Sequence, residues 1–79
     1  MNTLQADFLT LMEIREVFAK NLRLIRQSKG LSQEELAHLA DIDRTYVSSL
    51  ERGVYSPTLD VVERLAKALE TDAAEFLKN

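Results

Sequence analysis

Between Asp43 and Gly53 the chain reads DRTYVSSLERG. On a helix at about 100° per residue, Arg44, Thr45, Ser48, Ser49 and Arg52 fall within one arc of about 140°. None of the five is acidic. The guanidiniums donate hydrogen bonds in pairs, and the hydroxyls both donate and accept. No hydroxyl has a base beside it, so the face suits recognition rather than covalent chemistry. Taken alone, the same residues would better suit a merely solvated helix face. What precedes them decides between the two.

Helix two is predicted over Gln33–Ala40, with Ser32 as N-cap and Glu35 three residues on, a capping box. Its apolar face is Leu36, Ala37 and Ala40. Only Asp41–Asp43 separate it from helix three, which Asp43 caps and Gly53 ends. Val47 and Leu50 face inward, and the small alanines let the two helix axes approach. Two short helices on a tight turn, the second with a hydrogen-bonding outer face, make a helix-turn-helix. In that arrangement the second helix enters the major groove of duplex DNA. Arg44 can reach guanine O6 and N7 together, and the Thr45 methyl can meet a thymine methyl.

Three further helices complete the expected fold, all-α with five helices and no sheet. Helix one spans about Leu11 to Lys29, with Thr10 and Glu13 as a capping box and Ile14, Val17, Phe18, Leu22 and Ile25 as its apolar stripe. Thr58 caps helix four, Leu59–Leu69, which should bury Leu59, Val62, Leu65, Ala66 and Leu69 and leave Val61 and Ala68 on a shoulder. Asp72 and Glu75 repeat the capping pattern for a short helix five, Ala73–Leu77. Residues 1–10 form an arm or an extension of helix one, and 11–79 the domain. Leu4, Phe8 and Leu9 can pack on the core or on a second subunit.

Composition excludes several classes. With 79 residues there is room for one small domain with a marginal core, so a partner chain would help. No cysteine is present, hence no disulfide and no thiolate metal site. No apolar run reaches membrane-spanning length, and the first twelve residues lack the features of a signal peptide; the expected location is cytoplasmic. Net charge is −3, but its distribution matters more. Val17–Gln33 holds four bases (Lys20, Arg23, Arg26, Lys29) and no acid, whereas Leu59–Asn79 holds five acids against three bases. His38, the single histidine, has Glu34 one turn before it but no third ligand, and reads as a surface residue. No metal, cofactor or small-molecule ligand is expected, and no enzyme activity.

The stretch LSQEELAHLADIDRTYVSSLERGVYSPTLDVVERLAKAL resembles the lambda-repressor/Cro-like helix-turn-helix family, and most of all its restriction–modification controller proteins. Ser32-Gln33, Leu36-Ala37, Ile42, Val47, Leu50-Glu51 and Gly53 carry the likeness, which covers about residues 18–77. The resemblance implies that Arg44, Thr45 and Ser49 read bases, with Ser48 on the same face. It implies that Gln33 and Arg52 bind phosphate, with Ser32 assisting; Tyr46 either packs against helix two or reaches DNA. Arg26 and Glu51 match a family ion pair between helices one and three. Helices four and five imply a homodimer seam at Val61, Ala68, Phe76 and Leu77. Such a dimer would regulate transcription from a pseudo-palindromic operator. An antitoxin-like module, binding a protein first and DNA secondarily, is the alternative. Asp41 stands where the family usually has glycine, at a cost of up to about 1 kcal/mol. Thr71 stands where an apolar residue is usual.

Overall fold

The computed structural model describes the backbone from Thr3 to Asn79 and side chains from Glu13 onward. Four α-helices and a 3-10 helix follow in order: α1 Thr3–Ser28, α2 Gln33–Ala40, α3 Arg44–Glu51, α4 Leu59–Leu69, then the 3-10 helix Ala73–Leu77. No strand occurs among the described residues. Helices α2, α3 and α4 start at the expected caps: Ser32, Asp43 and Thr58 each accept a backbone N–H of the first turn, and Ser32 with Glu35 closes the capping box. Two expectations fail at the ends of the chain. The backbone is already helical from Thr3, so Thr10 lies inside α1 and not at a start. Asp72 makes no side-chain cap; the 3-10 turn is closed by Glu75 N–H donating to Asp72 O. The Leu4, Phe8 and Leu9 side chains lie outside the described residues.

The core is formed by Phe18 and Leu22 of α1, Leu36, Ala37 and Ala40 of α2, Val47 and Leu50 of α3, Val61, Leu65, Ala66 and Leu69 of α4, and Phe76. The Phe18 and Phe76 rings meet at 5.3 Å, tilted by 57°. Asn21 clamps the 3-10 helix by donating to Phe76 O at 2.9 Å and Lys78 O at 2.7 Å. Within α4 the buried stripe is rotated from expectation. Val61 is buried and Leu59 is 88% exposed. Val61, Leu65 and Leu69 recur every four residues, and Leu59 sits about 120° from their mean direction. Val61 and Phe76, expected at the dimer seam, are 8% and 0% exposed within their own chain and have little surface left for a partner. Leu77, at 54%, does. Ile14, expected in the core, is also largely exposed.

All four α-helices end alike. Gly30, Asp41, Gly53 and Glu70 have φ near +60°, and the next N–H reaches back to the last turn: Leu31 to Arg26 O, Ile42 to Ala37 O, Val54 to Ser49 O, Thr71 to Ala66 O. This is the Schellman geometry, and it favours glycine. The residue after the cap usually packs back on the helix, which is why Leu31, Ile42 and Val54 are apolar and Thr71 is the exception. Asp41 tolerates the left-handed conformation, and Arg64 Nη1 holds its carbonyl at 3.0 Å. Glu70 has no such local compensation. Glu70→Gly is therefore expected to raise the unfolding free energy by about 1 kcal/mol, and Asp41→Gly by about half that. Urea unfolding measures both; a loss at either position would mean the cap is not strained.

Candidate nucleic-acid interface

Side-chain hydrogen bonds hold α3 at both ends. At its C-terminal end Glu51, 6% exposed, takes three side-chain hydrogen bonds. Arg26 donates Nε to Oε2 at 2.6 Å and Nη2 to Oε1 at 2.9 Å; Gln33 Nε2 donates to Oε1 at 3.1 Å. Arg26 Nη1 also donates to Leu31 O at 2.9 Å. The bond from Glu51 outweighs burial and raises the Arg26 pKa above its ordinary value. The expected Arg26–Glu51 pair is thus present as a bidentate contact joining α1 to α3. Gln33 was not foreseen in it. Nothing in the spacing of residues 33 and 51 signals their meeting; only the α2–α3 crossing does.

At its N-terminal end α3 starts from Asp43, whose Oδ1 accepts Thr45 N–H at 2.8 Å and Thr45 Oγ1–H at 2.6 Å. Arg44 and Thr45 are exposed at the first two helical positions, Ser48 and Ser49 half-buried one turn on, and Arg52 exposed at the C-cap. Arg52 lies back along α3, with Nε 3.4 Å from Ser48 O and Nη2 3.3 Å from Ser49 Oγ. The five residues predicted on one face line a single open groove. A second groove beside it is lined by Thr45, Tyr46, Ser49, Tyr55 and Ser56. The Tyr46 ring packs on the core edge and meets Tyr55 edge-on at 6.5 Å, and the residue also lines this groove. Tyr55 and Ser56 were not singled out from sequence. Arg15 Nε donates to Ser56 Oγ at 3.1 Å, so α1 holds the loop after α3.

Ser32 and Gln33 stand at the start of α2, Ser32 exposed and Gln33 half-buried. Gln33 gives one amide proton to Glu51, which leaves the other proton and the carbonyl oxygen for an external partner. Arg44 pairs with no acid among the described residues. No group of three or more metal-ligating side chains occurs among the described residues, and no described helix is long and apolar enough to cross a membrane.

The arrangement matches known proteins over most of the chain. The helix-turn-helix family HTH_3 matches residues 22–76. A hypothetical transcription factor of Neisseria meningitidis serogroup B is 44% identical over 95% of this chain and 71% of its own. Control protein C.SmaI of Serratia marcescens is 42% identical over 84% of this chain and 79% of its own. The crystal structure of the restriction–modification controller protein C.AhdI from Aeromonas hydrophila superposes with a TM-score of 0.77 at 42% identity, covering 78% of this chain and 94% of that one. The all-helical fold and the family expected from the sequence are both met, with a 3-10 turn in place of the fifth α-helix. The chain belongs to the HTH_3 helix-turn-helix family of transcriptional regulators.

Proposed function

We propose that the chain is a sequence-specific duplex-DNA binder that acts as a homodimer on a pseudo-palindromic operator and regulates transcription, in the manner of a restriction–modification controller. The observation that carries this reading is the α3 face: Arg44, Thr45, Ser48, Ser49 and Arg52 share one groove on a helix bound at both ends. Arg44, Thr45, Ser48 and Ser49 read base edges. Gln33, Ser32 and Arg52, with Tyr46 at the flank, hold phosphates and set the register. Arg26 and Glu51 stay structural. One such domain makes few base contacts, so two are needed for useful affinity, with half-sites about one helical turn, ~34 Å, apart. The relatives named as controllers and transcription factors support regulation rather than catalysis, and the cytoplasm as its place.

The seam of the dimer falls on the apolar groove between α1, α4 and the 3-10 helix. Ile14, Leu59, Val62, Ala73 and Leu77 line it, with Pro57 at its edge. Leu59, Leu77 and Ile14 are large apolar side chains left in water by the single chain. Ala68, at the shoulder of α4, packs against the core and not in this groove.

Selection of bound duplexes from a random pool tests the reading: a palindromic consensus is expected, and no enrichment would remove it. Two substitutions then separate the roles. Arg44→Ala relaxes preference at one position in each half-site, by about 1–3 kcal/mol against the wrong base. Gln33→Ala weakens all sequences alike, because phosphates carry no sequence. Equal loss on operator and random DNA would make Arg44 a phosphate contact, and a changed base preference would make Gln33 a reader.

A further inference from the structure

Thr45 is held differently from its neighbour on the same face. Its hydroxyl oxygen lies 2.6 Å from Asp43 Oδ1, and its backbone N–H donates to the same oxygen. The hydroxyl bond first, then the amide bond, hold the Asp43 carboxyl below its usual range. At neutral pH the carboxylate is ionised and has no proton to give. The hydroxyl must be the donor. It has one proton, and that proton is turned back toward Asp43. What remains for an outside partner is the methyl group and the oxygen lone pairs. Ser49 is the opposite case: its Oγ accepts from Arg52 Nη2, so its own proton is free to donate.

We propose that Asp43 is a specificity-determining positioning residue, which takes the Thr45 hydroxyl proton and so makes Thr45 meet bases as a methyl and an acceptor, never as a donor. The proposal rests on the duplex-DNA reading above. Threonine in the major groove ordinarily serves donors and acceptors alike. Held this way, it favours the amino groups of adenine N6 and cytosine N4, or the thymine methyl. It disfavours guanine O6 and N7, where two acceptors would face each other. Guanine is left to Arg44, the adjacent residue with donors to spare. Asp43 also caps α3 and places a negative charge near the bound backbone, so its removal has sequence-independent effects as well.

Competition binding at fixed salt separates these effects, using the operator selected from the random pool with every base pair substituted at each position. Asp43→Asn keeps the acceptor oxygen and drops the charge. Affinity for all duplexes rises and the pattern of preference stays. Asp43→Gly keeps an acceptable N-cap and releases the hydroxyl. Guanine at one position per half-site then gains about fivefold relative to the preferred base. The gain is absent from the double variant Asp43→Gly/Thr45→Val, which has no hydroxyl to release. Thr45→Ser leaves Asp43 untouched and still rejects guanine there, so the idea stays testable even if the glycine variant fails to fold. An unchanged pattern in folded Asp43→Gly, a gain that persists in the double variant, or guanine accepted by Thr45→Ser each overturns the proposal. A native chain without sequence preference overturns the DNA reading instead, and that is seen before any variant is made.

Discussion

Glu51→Ala lowers the unfolding free energy by about 3 kcal/mol, a large share of the total for a domain this size. The carboxylate itself is not the source of so large a loss. A buried ion pair pays heavily in desolvation, and a well-packed apolar substitute for both partners is often neutral. The loss comes from what Glu51 leaves behind. Arg26 keeps its charge, is nearly enclosed, and retains only the Leu31 carbonyl as a described partner. Gln33 loses its anchor at the same time. Arg26→Ala strands the carboxylate and costs a similar amount. The double variant should lose less than the two singles together, by a coupling energy of about 1–3 kcal/mol. Denaturant unfolding of the three variants measures it. Additive losses would show that the 2.6 Å contact contributes nothing beyond the packing of each side chain.

Leu59→Asp gives folded monomers in sedimentation and lowers operator affinity at least about 100-fold. Leu59 is the most exposed of the large apolar residues among those described, so the isolated chain should change in stability by no more than about 0.5 kcal/mol. A two-fold contact presents every substitution twice, and two carboxylates without partners would have to be desolvated together. Phe76 cannot serve this purpose. Its ring is buried against Phe18, and truncation to alanine alone costs about 3–5 kcal/mol. Phe76→Asp adds a buried, unpaired carboxylate, so the result to expect there is an unfolded chain and not a monomer. Should Leu59→Asp remain dimeric with native affinity, the seam lies elsewhere, and the Leu4–Phe8 segment becomes the next place to look.

What the linear chain determined was local. Caps at Ser32, Asp43 and Thr58 act within three residues, so their chemistry is complete in the sequence. The polar arc of α3 follows from helical periodicity alone, and with the three-residue turn after α2 it was enough to name the helix-turn-helix. Position 41 was legible through the family resemblance, which puts glycine there, and its backbone is indeed left-handed. Tertiary structure decided whatever depends on two elements meeting. Helical spacing restricts which residues of α4 share a face but not which face turns inward, and so Leu59 and Val61 exchanged places. Gln33 joined Arg26 and Glu51, and Asn21 caught the 3-10 helix, through crossings between distant residues that no periodicity encodes. The side-chain bond that turns Thr45 into an acceptor lies between. Its two residues are only two positions apart in the capping motif, but the direction of the proton follows only once the 2.6 Å contact is seen, because a threonine in water is free to point its hydroxyl either way.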